Sequence, residues 1–166
     1  VAEKEKAPWV PPDQGVLDIV FECPPSAASV DEVGSDDGVD LILKLLEKAE
    51  TPSERQIIFD VSCSQTDIFL TGEQARKVFH AAICDYTPVD KVAKLLPQIA
   101  QVQDACTFAE LCLDTAQLRQ LREKLSYAWG PLTGNATGHY CLDFRLEMHR
   151  LAGKKIAGLA TQQRSL

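Results

Sequence analysis

No C-x-x-C pair occurs among the six cysteines, Cys23, Cys63, Cys84, Cys106, Cys112 and Cys141, so neither a paired zinc site nor a thioredoxin-like motif is spelled out. Every apolar run falls well short of the roughly 18 residues that a spanning helix requires, and none near the N-terminus reads as a secretory leader. Membrane insertion is therefore not expected. Free thiols serving as small core residues in a cytoplasmic, reducing compartment are the expectation for the cysteines. Positive charge is scarce: 17 Lys and Arg stand against 24 Asp and Glu, a net charge of −7, which argues against nucleic acid as the partner. There is no Gly-rich phosphate loop, no G-x-S-x-G elbow and no H-E-x-x-H helix, and no carboxylate pair is set apart as an acid and a base. No catalytic residue, cofactor or metal is assigned on these grounds.

What is present is a domain-sized chain of 166 residues, 45% apolar and 25% charged, enough apolar material to offset the ordering entropy of one core without metal or disulfide. Charge is uneven along it. Residues 1–50 carry −8, residues 51–144 carry −3, and residues 145–166 carry +4, so the two ends are complementary to each other within one copy or between copies.

Composition divides the chain at Gly38. In residues 1–38, Pro8-Trp9-Val10-Pro11-Pro12 is stiff and extended, and Val16 to Phe21 is rich in β-branched residues, which predicts an extended ribbon or one short strand. Pro24 to Gly38 reads as an acidic linker; Asp31, Glu32, Asp36 and Asp37 do not have the spacing of a calcium loop.

Residues 39–166 read as a helical domain. Thr51-Pro52-Ser53-Glu54, Thr71-Gly72-Glu73-Gln74 and Thr107-Phe108-Ala109-Glu110 spell capping boxes, while Thr87-Pro88 and Asp114 to Gln117 mark two more starts. Apolar stripes at helical spacing follow: Val39, Ile42, Leu43 and Leu46; Ala75, Val78, Phe79 and Ala82; Val89, Val92, Ala93 and Leu96; and Leu118, Leu121, Leu125 and Ala128, with Gly130 placed to stop the last. Pro97 predicts a kink or restart near Leu96. Gly130 to Gly138 predicts an exposed, turn-rich loop; its Asn135-Ala136-Thr137 is read as a chance glycosylation match. Phe144, Met148, Leu151, Ala152, Ile156 and Leu159 predict a final amphipathic helix. A loose repeat of Lys44-Leu45-Leu46 as Lys94-Leu95-Leu96 suggests two related helix pairs. The predicted fold class is all-α: a compact bundle of about six or seven short amphipathic helices, preceded by the N-terminal ribbon.

The stretch from about Asp40 to Leu125 resembles the family known as domain of unknown function 4476. A helix ending near Phe59 is followed by Phe69-Leu70-Thr71 leading into Gln74-Ala75-Arg76-Lys77-Val78-Phe79, then Asp90-Lys91-Val92-Ala93-Lys94-Leu95-Leu96, then Asp104 and Phe108 before Leu113. The resemblance implies an all-helical module and supplies no activity; Pro97 departs from the unbroken helix expected at that point.

Three groups of residues compete for function. Trp9 and the basic residues Arg145, Arg150, Lys154 and Lys155 are the expected partner-binding side chains, suiting an acidic protein partner or a second copy. His139 and Cys141, with His149 eight residues after Cys141, are the candidates for a thiol-dependent enzyme or redox sensor. The basic final segment could instead meet an anionic surface. The leading expectation is a non-catalytic protein–protein interaction module or a structural component of a larger assembly.

Overall fold

Threonine and aspartate caps open four of the helices where the sequence places them. In the computed structural model, which describes residues 10–22, 36–65 and 69–164, Thr51 and Thr71 each form a reciprocal box with Glu54 and Gln74. Thr87 Oγ1 accepts from the Asp90 N–H. Asp114 and Gln117 exchange side-chain and backbone bonds at 2.8 and 3.1 Å. Each bond satisfies a backbone donor that the first helical turn leaves over.

The helices are α1 (Asp36–Lys48), α2 (Pro52–Ser64), α3 (Gly72–Ala81), α4 (Pro88–Leu95), α5 (Val102–Cys112), α6 (Thr115–Leu125), α7 (Trp129–Thr133) and α8 (Glu147–Arg164); β1 (Val16–Phe21) precedes them and β2 (Gly138–Asp143) lies between α7 and α8. The fold is mostly helical with one small antiparallel sheet. The described residues fall into two compact units, one within 36–125 and the other of 10–22 with 126–164.

The first unit holds α1 to α6. Helix α3 packs on α1, α4 and α5, α4 packs on α6, and α1 packs on α2. Leu46, Phe59, Val78, Leu95, Phe108, Leu121 and Leu125 are fully buried, and Phe79 meets Phe108 edge-on at 6.4 Å. Buried polar groups are matched: Gln98 Nε2 donates to the Ser62 carbonyl at 2.6 Å, and Gln74 Nε2 to Asp36 Oδ1 at 2.8 Å. Lys91 Nζ donates to the Phe79 and Ala82 carbonyls, capping the end of α3. As Pro97 predicts, α4 gives way to a 3₁₀ turn at Leu96–Gln98. Leu70 then pairs with Ile99 in a short parallel bridge.

The second unit is built around the sheet. Val16 pairs with Asp143 and Phe21 with Gly138, in unbroken antiparallel register. Leu132, Ala136, Tyr140, Leu142, Phe144, Ala152 and Ile156 form its core.

Six local expectations are corrected. Thr107 lies inside α5, which starts at Val102 behind Gln101 without a side-chain cap. Asp36–Gly38 belong to α1 rather than to the linker; residues 24–35 lie outside the described residues. Helix α6 ends at Leu125 because Ser126 takes a left-handed φ of 48°. Gly130 does not stop a helix: it sits within α7, where a Cβ would fall 2.4 Å from the Asn135 carbonyl oxygen, and Gly134, at φ 89°, is the terminator. The expected exposed loop thus holds buried Pro131, Leu132 and Ala136. Finally, Phe144 and Arg145 lie in the turn before α8, not within it.

Candidate interaction surfaces

Helix α1 carries six large apolar residues in thirteen, Val39, Leu41, Ile42, Leu43, Leu45 and Leu46, a wider arc than one packing face occupies. Val39, Ile42 and Leu46 are buried, which leaves Leu41 58% and Leu45 44% exposed. They stand four residues apart, one above the other. Helix α2 repeats the arrangement: Phe59 is buried, while Ile57 is 64% and Val61 54% exposed. Sequence reasoning stopped at the stripe that packs inward. The signal it passed over was the apolar residues left outside that stripe.

The sheet presents a second surface. Side chains alternate along both strands, so Leu17, Tyr140 and Leu142 turn inward while Val16, Asp18, Val20, His139 and Cys141 are exposed. His139 Nε2 pairs with Asp18 Oδ1, and Cys141 is the cross-strand neighbour of Asp18. The fold therefore brings His139 and Cys141 to one face with a carboxylate. His149 is engaged elsewhere: its Nδ1 accepts the Asp143 N–H at 2.9 Å, and its ring meets Tyr127.

The remaining thiols are of another kind. Cys63, Cys84, Cys106 and Cys112 are free and half-buried, at the margin of the core rather than inside it. Burial pushes the Cys63 thiol up to about 12 and Cys112 to about 11, away from the thiolate form that reacts. Burial, reinforced by Glu110, also raises Cys106. Cys23 lies outside the described residues.

Of the basic side chains, Arg145 forms a multiple hydrogen bond with Asp143, which holds that carboxyl down at about 2. Arg150 Nη1 donates to the Phe144 carbonyl at 2.7 Å and so caps the preceding turn. Lys154 is exposed; Lys155 is half-buried, and burial lowers its pKa. Trp9 lies outside the described residues. The four cations do not form one uncommitted basic face, since two of them are spent on local bonds.

Among the described residues, no group of three or more His, Cys, Asp and Glu side chains stands close enough to hold a metal ion, and no helix is long and apolar enough to cross a membrane. No family model, no curated protein and no solved structure matches the chain.

Proposed function

We propose that the chain is a protein–protein interaction module, or a structural component of a larger assembly, acting through surfaces rather than through a reaction centre. The observation that supports this is the pair of half-exposed apolar ridges, Leu41 with Leu45 and Ile57 with Val61, on consecutive helices that touch each other. Large apolar side chains left in water at helical spacing favour a covering partner. The resemblance of residues 40–125 to domain of unknown function 4476 belongs to the same reading and adds no chemistry.

Light scattering with cross-linking in native extract tests it. Wild-type chain is expected in species heavier than its 18.3 kDa, and a Leu41→Lys, Ile57→Lys double variant with an unchanged circular dichroism spectrum is expected to lose the adducts that form through the helical ridges. A wild-type monomer that gives no cross-linked adduct would defeat the reading.

One observation favours a second reading, a thiol-dependent enzyme or redox sensor: Asp18, bonded to His139, lies across from Cys141 on the same exposed face, which assembles the residue types that imidazole-activated thiol chemistry uses. The rate of Cys141 alkylation against pH decides it. A rate that tracks an ordinary thiol near 8.5, unchanged by His139→Ala, removes it.

A further inference from the structure

The hydrogen-bond phase of the sheet shows which backbone groups of β1 are left over. Phe144 N–H donates to the Gly15 carbonyl at 2.9 Å, so in this continuous register Leu17, Ile19 and Phe21 form the bonded pairs with β2. The N–H and C=O of Val16, Asp18 and Val20 therefore point away from β2. Among the described residues no hydrogen bond reaches them, and β1 has no second neighbour. On the outer edge of β2 the Asp143 N–H is taken by His149 Nδ1, whereas no such side chain reaches the matching groups of β1 among the described residues.

We infer that the open edge of β1 receives an extended strand from a partner protein, one that alternates apolar residues with a Lys or Arg. This rests on the interaction-module reading and assigns it a second surface. An open strand edge supplies evenly spaced donors and acceptors that only another extended backbone can match in series. Side-chain chemistry selects the occupant. Val16 and Val20 are 66% and 75% exposed on either side of Asp18, so a neighbouring strand sets apolar residues against the valines and one residue against the carboxylate. His139 occupies Asp18 Oδ1, leaving Oδ2 to accept. The segment from Val10 to Glu22 also carries Asp13 and Glu22 and no Lys or Arg.

A second copy fits poorly. The two-fold pairing that engages all three open residues places Val16 against Val20 of the other copy, but it sets Asp18 directly against Asp18, and like charges in that position repel. Asp18 thus guards the edge against self-pairing while remaining complementary to a basic strand.

The test uses the full chain and three synthetic peptides. The first is Thr-Val-Thr-Lys-Thr-Val-Thr, whose alternation brings Lys to Asp18 and, in antiparallel pairing, turns the Val and Lys N–H groups toward β1; the second has Glu for Lys; the third is the Lys peptide N-methylated at Val and Lys. The Lys peptide should bind about tenfold more tightly than the Glu peptide, with the preference reversed in Asp18→Lys. N-methylation should abolish binding, and amide exchange at Val16, Asp18 and Val20 should slow on addition of the Lys peptide. Equal binding of all three peptides, no binding at about 1 mM, or self-association that Val16→Lys disperses would overturn the inference. The Leu41→Lys, Ile57→Lys variant should keep the peptide response, which separates failure here from failure of the helical surface.

Discussion

The six-helix unit and the sheet-containing unit are held together by different kinds of sequence information. In the former, caps and their partners lie within a few residues of each other: Thr51 finds Glu54 and Thr71 finds Gln74, each three residues on. In the latter, the decisive partners are far apart, with Leu17 opposite Leu142 and Asp18 bound to His139. Local structure can be checked turn by turn against propensity. Long-range pairing depends on closing a loop of more than a hundred residues, whose entropy the strand contacts must offset.

The sharpest way to probe that difference is to empty each core in turn. Phe59→Ala in the helical unit should cost about 3–5 kcal/mol and Leu142→Ala in the sheet unit about 2–5 kcal/mol, read from urea denaturation. Hydrogen exchange should report the loss first in the unit that was cut. Gly130→Ala comes next, at about 1–3 kcal/mol, since its methyl would press on the Asn135 backbone; an unchanged melting temperature would mean that close approach is absent.

Caps sharpen the comparison at about 1 kcal/mol each. Thr51→Ala and Thr71→Ala should destabilise by roughly that amount, while Thr107→Ala, in mid-helix and exposed, should be neutral or slightly stabilising. Ser126→Gly should raise stability by up to about 1 kcal/mol by relieving a left-handed φ. The smallest effect is electrostatic. Asp143 is held near 2 by Arg145, below its ordinary value of about 3.9, so the pair's contribution is present above about pH 4 and lost as pH falls through about 2. Arg145→Ala should blunt that acid limb slightly, and added salt should mask the difference.

These contrasts explain what was legible in the sequence. The caps at Thr51, Thr71, Thr87 and Asp114, the interruption at Pro97 and the strand at Val16–Phe21 were readable because each is signalled by adjacent residues. Strand β2 was not: Gly138 to Asp143 follows a glycine-rich stretch and becomes a strand only because β1 lies beside it. Gly130 misled for a related reason, since a glycine required by a neighbouring carbonyl looks in sequence like a glycine required by a helix end. The candidate surfaces followed the same rule. His139 and Cys141 stood out as residue types, but their shared face with Asp18 needed the register. Leu41, Leu45, Ile57 and Val61 were visible as apolar residues, and only the packing of α1 and α2 shows which of them the core leaves outside.

Site-specific photo-cross-linking tests the central claim most directly. A photoreactive residue at position 45, on the exposed ridge of α1, and one at position 119, on a polar exposed turn of α6, should behave differently in cells: abundant, discrete protein adducts from 45 and few from 119. Equal labelling from both positions, or none from 45, would contradict a chain that works through that apolar surface.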